Sequence, residues 1–227
     1  MKNSHKTLLA AAISLGLMAG CNSQNDSETP TPMVRFATFN LSFDRTAAGM
    51  LAGELALSHT EQDALLARLA DGTLSGAEKT KALDVQQIRN IAEIVQRTRP
   101  DVFLLNEFDN DGKGSDTTDL KAFNDNYLAH AQHDEVKAIS YPVLQNFATN
   151  TGLMSGHDLN LDGKVNNGPD DAWGFGNYHG QYAFAVMSRY PIDTRQIRTF
   201  QTFKWKEMTG EANPVIDDCH NPRAPIP

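Results

Sequence analysis

The chain has 227 residues, a formal charge of −8 and a hydrophobic content of 40%. That is enough apolar material for one sizeable core. The acidic balance lacks the broad basic footprint of a tight nucleic-acid binder, although a bound metal can supply positive charge locally. No run of eighteen apolar residues is present, so no membrane-spanning helix is expected.

Lys2, His5 and Lys6 precede an apolar stretch from Leu8 to Ala19, the pattern of a secretory leader. The stretch ends in Leu17-Met18-Ala19-Gly20-Cys21. These residues resemble a bacterial lipobox, with Met18 where Leu is usual. The resemblance implies cleavage before Cys21 and lipidation of Cys21, and Asn22 after it favours the outer membrane. Residues 1–20 read as a lipoprotein signal peptide and residues 21–33, polar with prolines, as a flexible tether. The expected location is the bacterial cell envelope, as an outer-membrane lipoprotein, or otherwise periplasmic or extracellular. Membrane contact is expected through the lipid anchor only. Cys219 is the one other cysteine, so the fold is not expected to depend on a disulfide.

Residues 34–227 read as one α/β region. Val34 to Leu41, with β-branched and aromatic residues, predicts a first strand carrying Asn40 near its end. Residues 46–82 are Ala- and Leu-rich, broken by glycines, with a helix from Thr60 to Leu69. Their expected duty is packing, or the rim of a site. A longer helix runs from Ala77 to Arg97, because Ile88, Ile91, Ala92 and Val95 recur at helical spacing. Pro100 stands just past its end. Asp101-Val102-Phe103-Leu104-Leu105-Asn106-Glu107 follows, a short apolar run that reads as a strand buried on both faces. Glu107 at its carboxyl end is a candidate for chemistry, since ligands of open α/β sheets bind there.

Residues 109–116 read as a solvated polar loop. A helix is expected from Asp119 to Leu128 and a short strand from Tyr141 to Asn146. Asp158, Asn160 and Asp162, followed by Gly163, match the first half of a calcium-binding loop. The twelfth position is Pro169 instead of Glu, so Asp170 or Asp171 would have to complete a structural Ca2+ site; a surface turn is the competing reading. Residues 173–181 form a glycine- and aromatic-rich loop with Tyr178 and His179. Strands are expected over Tyr182 to Met187 and over residues 193–206. Prolines then dominate to the end of the chain.

Three segments stand in one order: Phe36-Ala37-Thr38-Phe39-Asn40, Arg99-Pro100-Asp101 through Glu107, and Gly180-Gln181-Tyr182 through Ile192. Together they resemble the endonuclease/exonuclease/phosphatase superfamily of deoxyribonuclease-like metal-dependent phosphoesterases. The resemblance implies an αββα four-layer sandwich and cleavage of phosphoesters with Mg2+ or Mn2+. It assigns Asn40 and Glu107 to the metal site, and Tyr178, His179 and Arg189 to contacts with phosphate. It also implies a later Asp-x-Asn and a C-terminal Asp-His pair. Neither follows residue 192; the nearest pattern is Asp218-Cys219-His220 in the proline-rich tail. The chain is therefore expected to hold the first sheet and its helices, the N-terminal part of the domain, and to be inactive alone if those motifs are missing. The expected partner is a phosphoester of unknown identity, with no stable nucleic-acid partner. The alternative is a non-catalytic, calcium-stabilised surface binding protein on the same scaffold.

Overall fold

The computed structural model describes residues 33–166, 168–203 and 208. Cys21, the tether and Asp218–His220 lie outside the described residues.

Residues Phe36–Phe43 form β1, and three helices follow: α1 (Met50–Leu55), α2 (His59–Ala70) and α3 (Gly76–Thr98). Strand β2 is Val102–Phe108. Helix α4 (Thr118–Phe123) continues as one π-helical turn, Asn124–Leu128. Strands β3 (Val143–Asn146) and β4 (Phe184–Ser188) complete a sheet in the order β1-β2-β4-β3. β1 and β2 are parallel, joined by the three-helix crossover; β4 is antiparallel to both β2 and β3. This is a mixed α/β fold, as expected for the helix-covered half of a deoxyribonuclease-like sandwich.

Local chemistry sets the helix ends. Ser58 and Glu61 form a reciprocal capping box at the start of α2: Glu61 Oε2 accepts from Ser58 N at 2.8 Å, and Ser58 Oγ from Glu61 N. α3 stops where Arg99 turns left-handed, at φ 47°, and Pro100 follows. Val85, Ile88, Ala92 and Val95 bury one stripe of α3 against Phe103, Leu105 and Phe108 of β2. Phe43, Phe123 and Tyr127 close the same core, with the rings of Phe43 and Phe123 in an edge contact at 5.6 Å.

Two expectations are corrected. β2 is buried on one face only. Phe103 and Leu105 are inside, while Val102, Leu104 and Asn106 are half-exposed, because among the described residues the helices cover a single side of the sheet. Residues 193–206 do not form a strand among the described residues. The Asp193 side chain instead caps a short 3-10 turn, Thr194–Gln196, by accepting from Arg195 N.

Candidate active site

The carboxyl ends of β1 and β2 depart from regular pairing. Asn40 pairs with Asn106, but the next pair is Phe43 with Phe108. Two residues of β1, Leu41 and Ser42, thus oppose Glu107 alone, which is a bulge. Strict alternation after Phe103 and Leu105 would send Glu107 into the core. The bulge puts Phe108 there and leaves Glu107 half-exposed. Ser42 and Glu107 both hold a left-handed backbone, at φ 51° and 55°. Neither is glycine, so each conformation costs on the order of 1 kcal/mol or more and must be imposed by its surroundings. Asn40 is exposed, and its Oδ1 accepts from Ser42 N at 2.9 Å. Glu107 accepts no hydrogen bond from the described residues.

What imposes the geometry is Asp109, two residues further on and 5% exposed. Its Oδ2 accepts from Arg45 N at 2.9 Å and from the Tyr178 hydroxyl; its Oδ1 accepts from Tyr182 N at 2.9 Å. One carboxylate thereby ties the chain after β1 to the loop before β4. Burial pushes the Asp109 carboxyl above its ordinary pKa, against the pull of these hydrogen bonds. The expectation of a solvated loop at 109–116 fails here. Asn110 N donates to Gly180 O, and Thr149 N to Gly112 O. Gly180, at φ 93°, sits where a Cβ would lie 2.1 Å from Asn110 O, so only glycine permits this crossing.

Tyr182 is a third left-handed residue, at φ 59°. Burial together with the charges of Asp44, Glu107 and Asp109 pushes its phenol up. It is a proton donor at neutral pH. Beside it opens a cleft of about 420 Å3 lined by Asp44, Arg45, Thr46, Asp84, Gln181 and Tyr182. The floor holds a buried ion pair, Arg45 Nε to Glu54 Oε2 at 2.8 Å. Burial pushes the Glu54 carboxyl up despite Arg45, and the second guanidinium nitrogen of Arg45, Nη2, is buried without a hydrogen-bond partner.

The structure brings some of the expected residues together and separates others. Asn40 and Glu107 lie on adjacent strands at the same end. Tyr178 reaches that end through Asp109. Its hydroxyl is already committed to Asp109 and Arg45 O, and burial and Asp109 raise its pKa well beyond the usual tyrosine value. His179 Nε2 is bonded to Thr149 O at 2.9 Å and its ring packs on Gly112. Arg189 pairs with Asp101 at 3.2 Å, beside the Val102–Ser188 pair at the opposite end of β2. Five residues of strand, about 16 Å, separate that end from Glu107. Asp109, Asp44 and Tyr182 were missed. A second acid at i+2 after the strand was a signal for Asp109, but the sequence does not tell a buried acid from a turn residue there.

In the loop at 158–171, Asp158 Oδ2 accepts from Gly163 N at 2.9 Å, and Asp158 Oδ1 and Asn160 Oδ1 accept from Asp162 N at 3.1 Å. Asp162 Oδ1 accepts from Lys164 N. Asp171 is fully buried and accepts from Leu159 N at 2.8 Å, whereas Asp170 is exposed. Among the described residues, no three His, Cys, Asp or Glu side chains are grouped to hold a metal ion. No described helix is long and apolar enough to cross a membrane.

The Endonuclease/Exonuclease/phosphatase family model matches residues 37–226, most of the chain. The chain belongs to the Endonuclease/Exonuclease/phosphatase family. No curated protein and no solved structure matches it. Membership places it among phosphoesterase- and nuclease-like hydrolases, whose members generally use divalent metals. The family match covers all of the three segments that carried the resemblance except Phe36.

Proposed function

We propose that the chain is a metal-dependent phosphoesterase whose reacting centre lies at the carboxyl ends of β1 and β2. The observation that carries this is the bulge: strained backbone turns Glu107, whose carboxylate accepts no hydrogen bond from the described residues, out of the core beside Asn40. The donor set fits a hard divalent ion. Mg2+ and Mn2+ take carboxylate and amide oxygens and complete their shell with water and phosphate, so a dedicated cage of three acids is not required. Glu107 and Asn40 would hold the ion, which when bound polarises a phosphoryl oxygen.

The chain's own groups do the rest. Asp109 fixes Tyr178 and Tyr182 and keeps the loop before β4 against the end of the sheet. Tyr182 lines the cleft with Asp44, and its phenol, pushed up in pKa, can donate to a phosphate oxygen. Arg45, ion-paired with Glu54 and 3.9 Å from Asp84, holds the turn after β1 by donating from Nη1 to Asp44 O at 3.0 Å. The lipid anchor at Cys21 is proposed on the lipobox-like residues alone, and it would hold this activity at the cell envelope.

The test is hydrolysis of bis(p-nitrophenyl) phosphate and of p-nitrophenyl phosphate by the full chain with Mg2+ or Mn2+, before and after chelation. Metal-dependent turnover lost in Glu107→Gln supports the proposal. Turnover unaffected by that substitution would refute the role of Glu107. No turnover on either substrate would favour the non-catalytic binding alternative.

A further inference from the structure

The strained end of the sheet is gripped from the helix side at the carbonyl oxygen of Ser42. Ser42 is a left-handed residue of the β1 bulge, at φ 51°. Its carbonyl accepts from Gln87 Nε2 of α3 at 2.9 Å and from Arg45 Nη1 at 3.3 Å. Arg45 Nη1 also donates to Asp44 O at 3.0 Å. On its other side Ser42 N donates to Asn40 Oδ1, and across the bulge stands Glu107. Both members of the proposed metal pair therefore adjoin the residue that these two side chains hold.

Arg45 is held in turn. Its buried guanidinium pairs with Glu54 of α1 and lies 5.8 Å from the centre of the Phe43 ring. The π-helical turn fixes α1: the Tyr127 hydroxyl donates to Glu54 O at 2.7 Å and Asn126 Nδ2 to Leu55 O at 2.8 Å. As a device for stability alone the pair is poorly made. Apolar residues of similar volume often serve a core as well, and among the described residues Arg45 Nη2 is buried with no hydrogen-bond partner. What the pair secures is direction. It aims a donor at the carbonyl of a residue whose backbone is disfavoured without support.

We infer that Arg45, Glu54 and Gln87 are positioning residues: they hold the bulge that turns Glu107 out beside Asn40, and so preset the oxygens offered to a divalent ion. That an ion binds there rests on the function proposed above; the hold on the bulge does not.

The test compares the full wild-type chain with two variants. One is Gln87→Leu, on a half-exposed helix face. The other combines Arg45→Met with Glu54→Leu, which replaces the pair by apolar side chains and leaves neither charge buried alone. A melting curve verifies that each folds. Two readouts then separate positioning from mere stability. The three-bond HN–Hα coupling of Ser42 and Glu107 reports their φ, and the loss of the free-ion EPR signal reports binding of Mn2+ alone. In the double variant both couplings are expected to move to the extended range, and Mn2+ binding to weaken about ten- to a hundred-fold, the scale for groups that orient metal ligands. Gln87→Leu is expected to shift both readouts in the same direction by less. Couplings and Mn2+ affinity unchanged in the folded double variant overturn the role of the pair; the same result in Gln87→Leu overturns that of Gln87. A double variant that does not fold leaves Gln87→Leu to decide by the same readouts. Relaxed couplings with wild-type Mn2+ affinity would overturn the link between bulge and ion. A wild type that binds no Mn2+ removes the proposed function, and the couplings then decide the hold on the bulge by themselves.

Discussion

Two stretches of this chain crowd side-chain oxygens into a turn: the sheet end at 107–109 and the loop at 158–171. In the loop, Asp158, Asn160, Asp162 and Asp171 all turn to backbone N–H groups of the same loop. Those oxygens replace the hydrogen bonds that a turn cannot make for itself. At the sheet end the same division of labour stops halfway. Asp109 is fully occupied, holding three groups from two distant segments. Glu107 is left over, on a backbone that has to be forced. An oxygen satisfied by its own loop builds structure. One that is strained and accepts nothing from the described residues is the candidate ligand of the proposed function, and that contrast singles out Glu107 among the acids of these two stretches.

The largest expected effect breaks the contrast at Glu107. Glu107→Gln should lower metal-dependent phosphoester hydrolysis by about a hundred-fold or more. The melting temperature should stay within about 2 °C, because the carboxylate accepts no hydrogen bond from the described residues. Equal loss of activity and stability would show that Glu107 is structural after all. Asp109→Asn should do the reverse. It replaces one of two buried accepting oxygens with an NH2 that faces N–H or O–H donors, and should cost about 3 kcal/mol, read as a drop of roughly 6–12 °C in melting temperature. The deficit depends on pH with a definite sign. Burial raises the folded pKa of Asp109 above its unfolded value. Its contribution to stability is then fully present below the unfolded pKa and lost as pH rises through the folded pKa. The gap between wild type and Asp109→Asn should widen as pH falls from 7 towards 4; a gap that narrows would contradict the raised pKa.

Much of the scaffold was legible because its signals are local. The stripe from Ile88 to Val95, Pro100, the apolar run of β2 and the strand before Ser188 each announce themselves within a few residues. Glu107 stood out by its place at a strand end, whereas Asn40, which by position alone reads as a turn residue, became a candidate only through the family resemblance; the structure puts both at one end of adjacent strands. What surrounds them was not legible. Asp109 meets Arg45, 64 residues earlier, and Tyr178, 69 residues later. No local pattern distinguishes such an acid from the turn formers beside it. The bulge was hidden for the same reason: Ser42, Glu107 and Tyr182 take positive φ without a glycine to mark them. Among the described residues the expected strand at 193–206 is absent, and Asp193 and Arg195 satisfy one another locally there, an interaction that hydrophobic patterning does not register.

The smaller effects sharpen the contrast from each side. Glu107→Gly relieves a left-handed glutamate, so it should stabilise the fold by about 1 kcal/mol, some 2–4 °C, while abolishing activity. A gain in stability bought with the loss of function is what strain held for a ligand predicts. Loss of both would mean that the Glu107 side chain packs. For the loop, the expected effect is the smallest. Its oxygens already serve the backbone, and no three acids among the described residues are grouped to hold an ion. Adding 10 mM Ca2+ should therefore shift the melting temperature by less than about 1 °C. If the loop bound calcium at the millimolar affinity of extracellular modules, mass action would contribute about 1.4 kcal/mol at that concentration, a rise of roughly 3–6 °C. A rise of that size, removed by Asp158→Asn, would show that these oxygens serve an ion as well as the turn, and would end the distinction drawn between the two stretches.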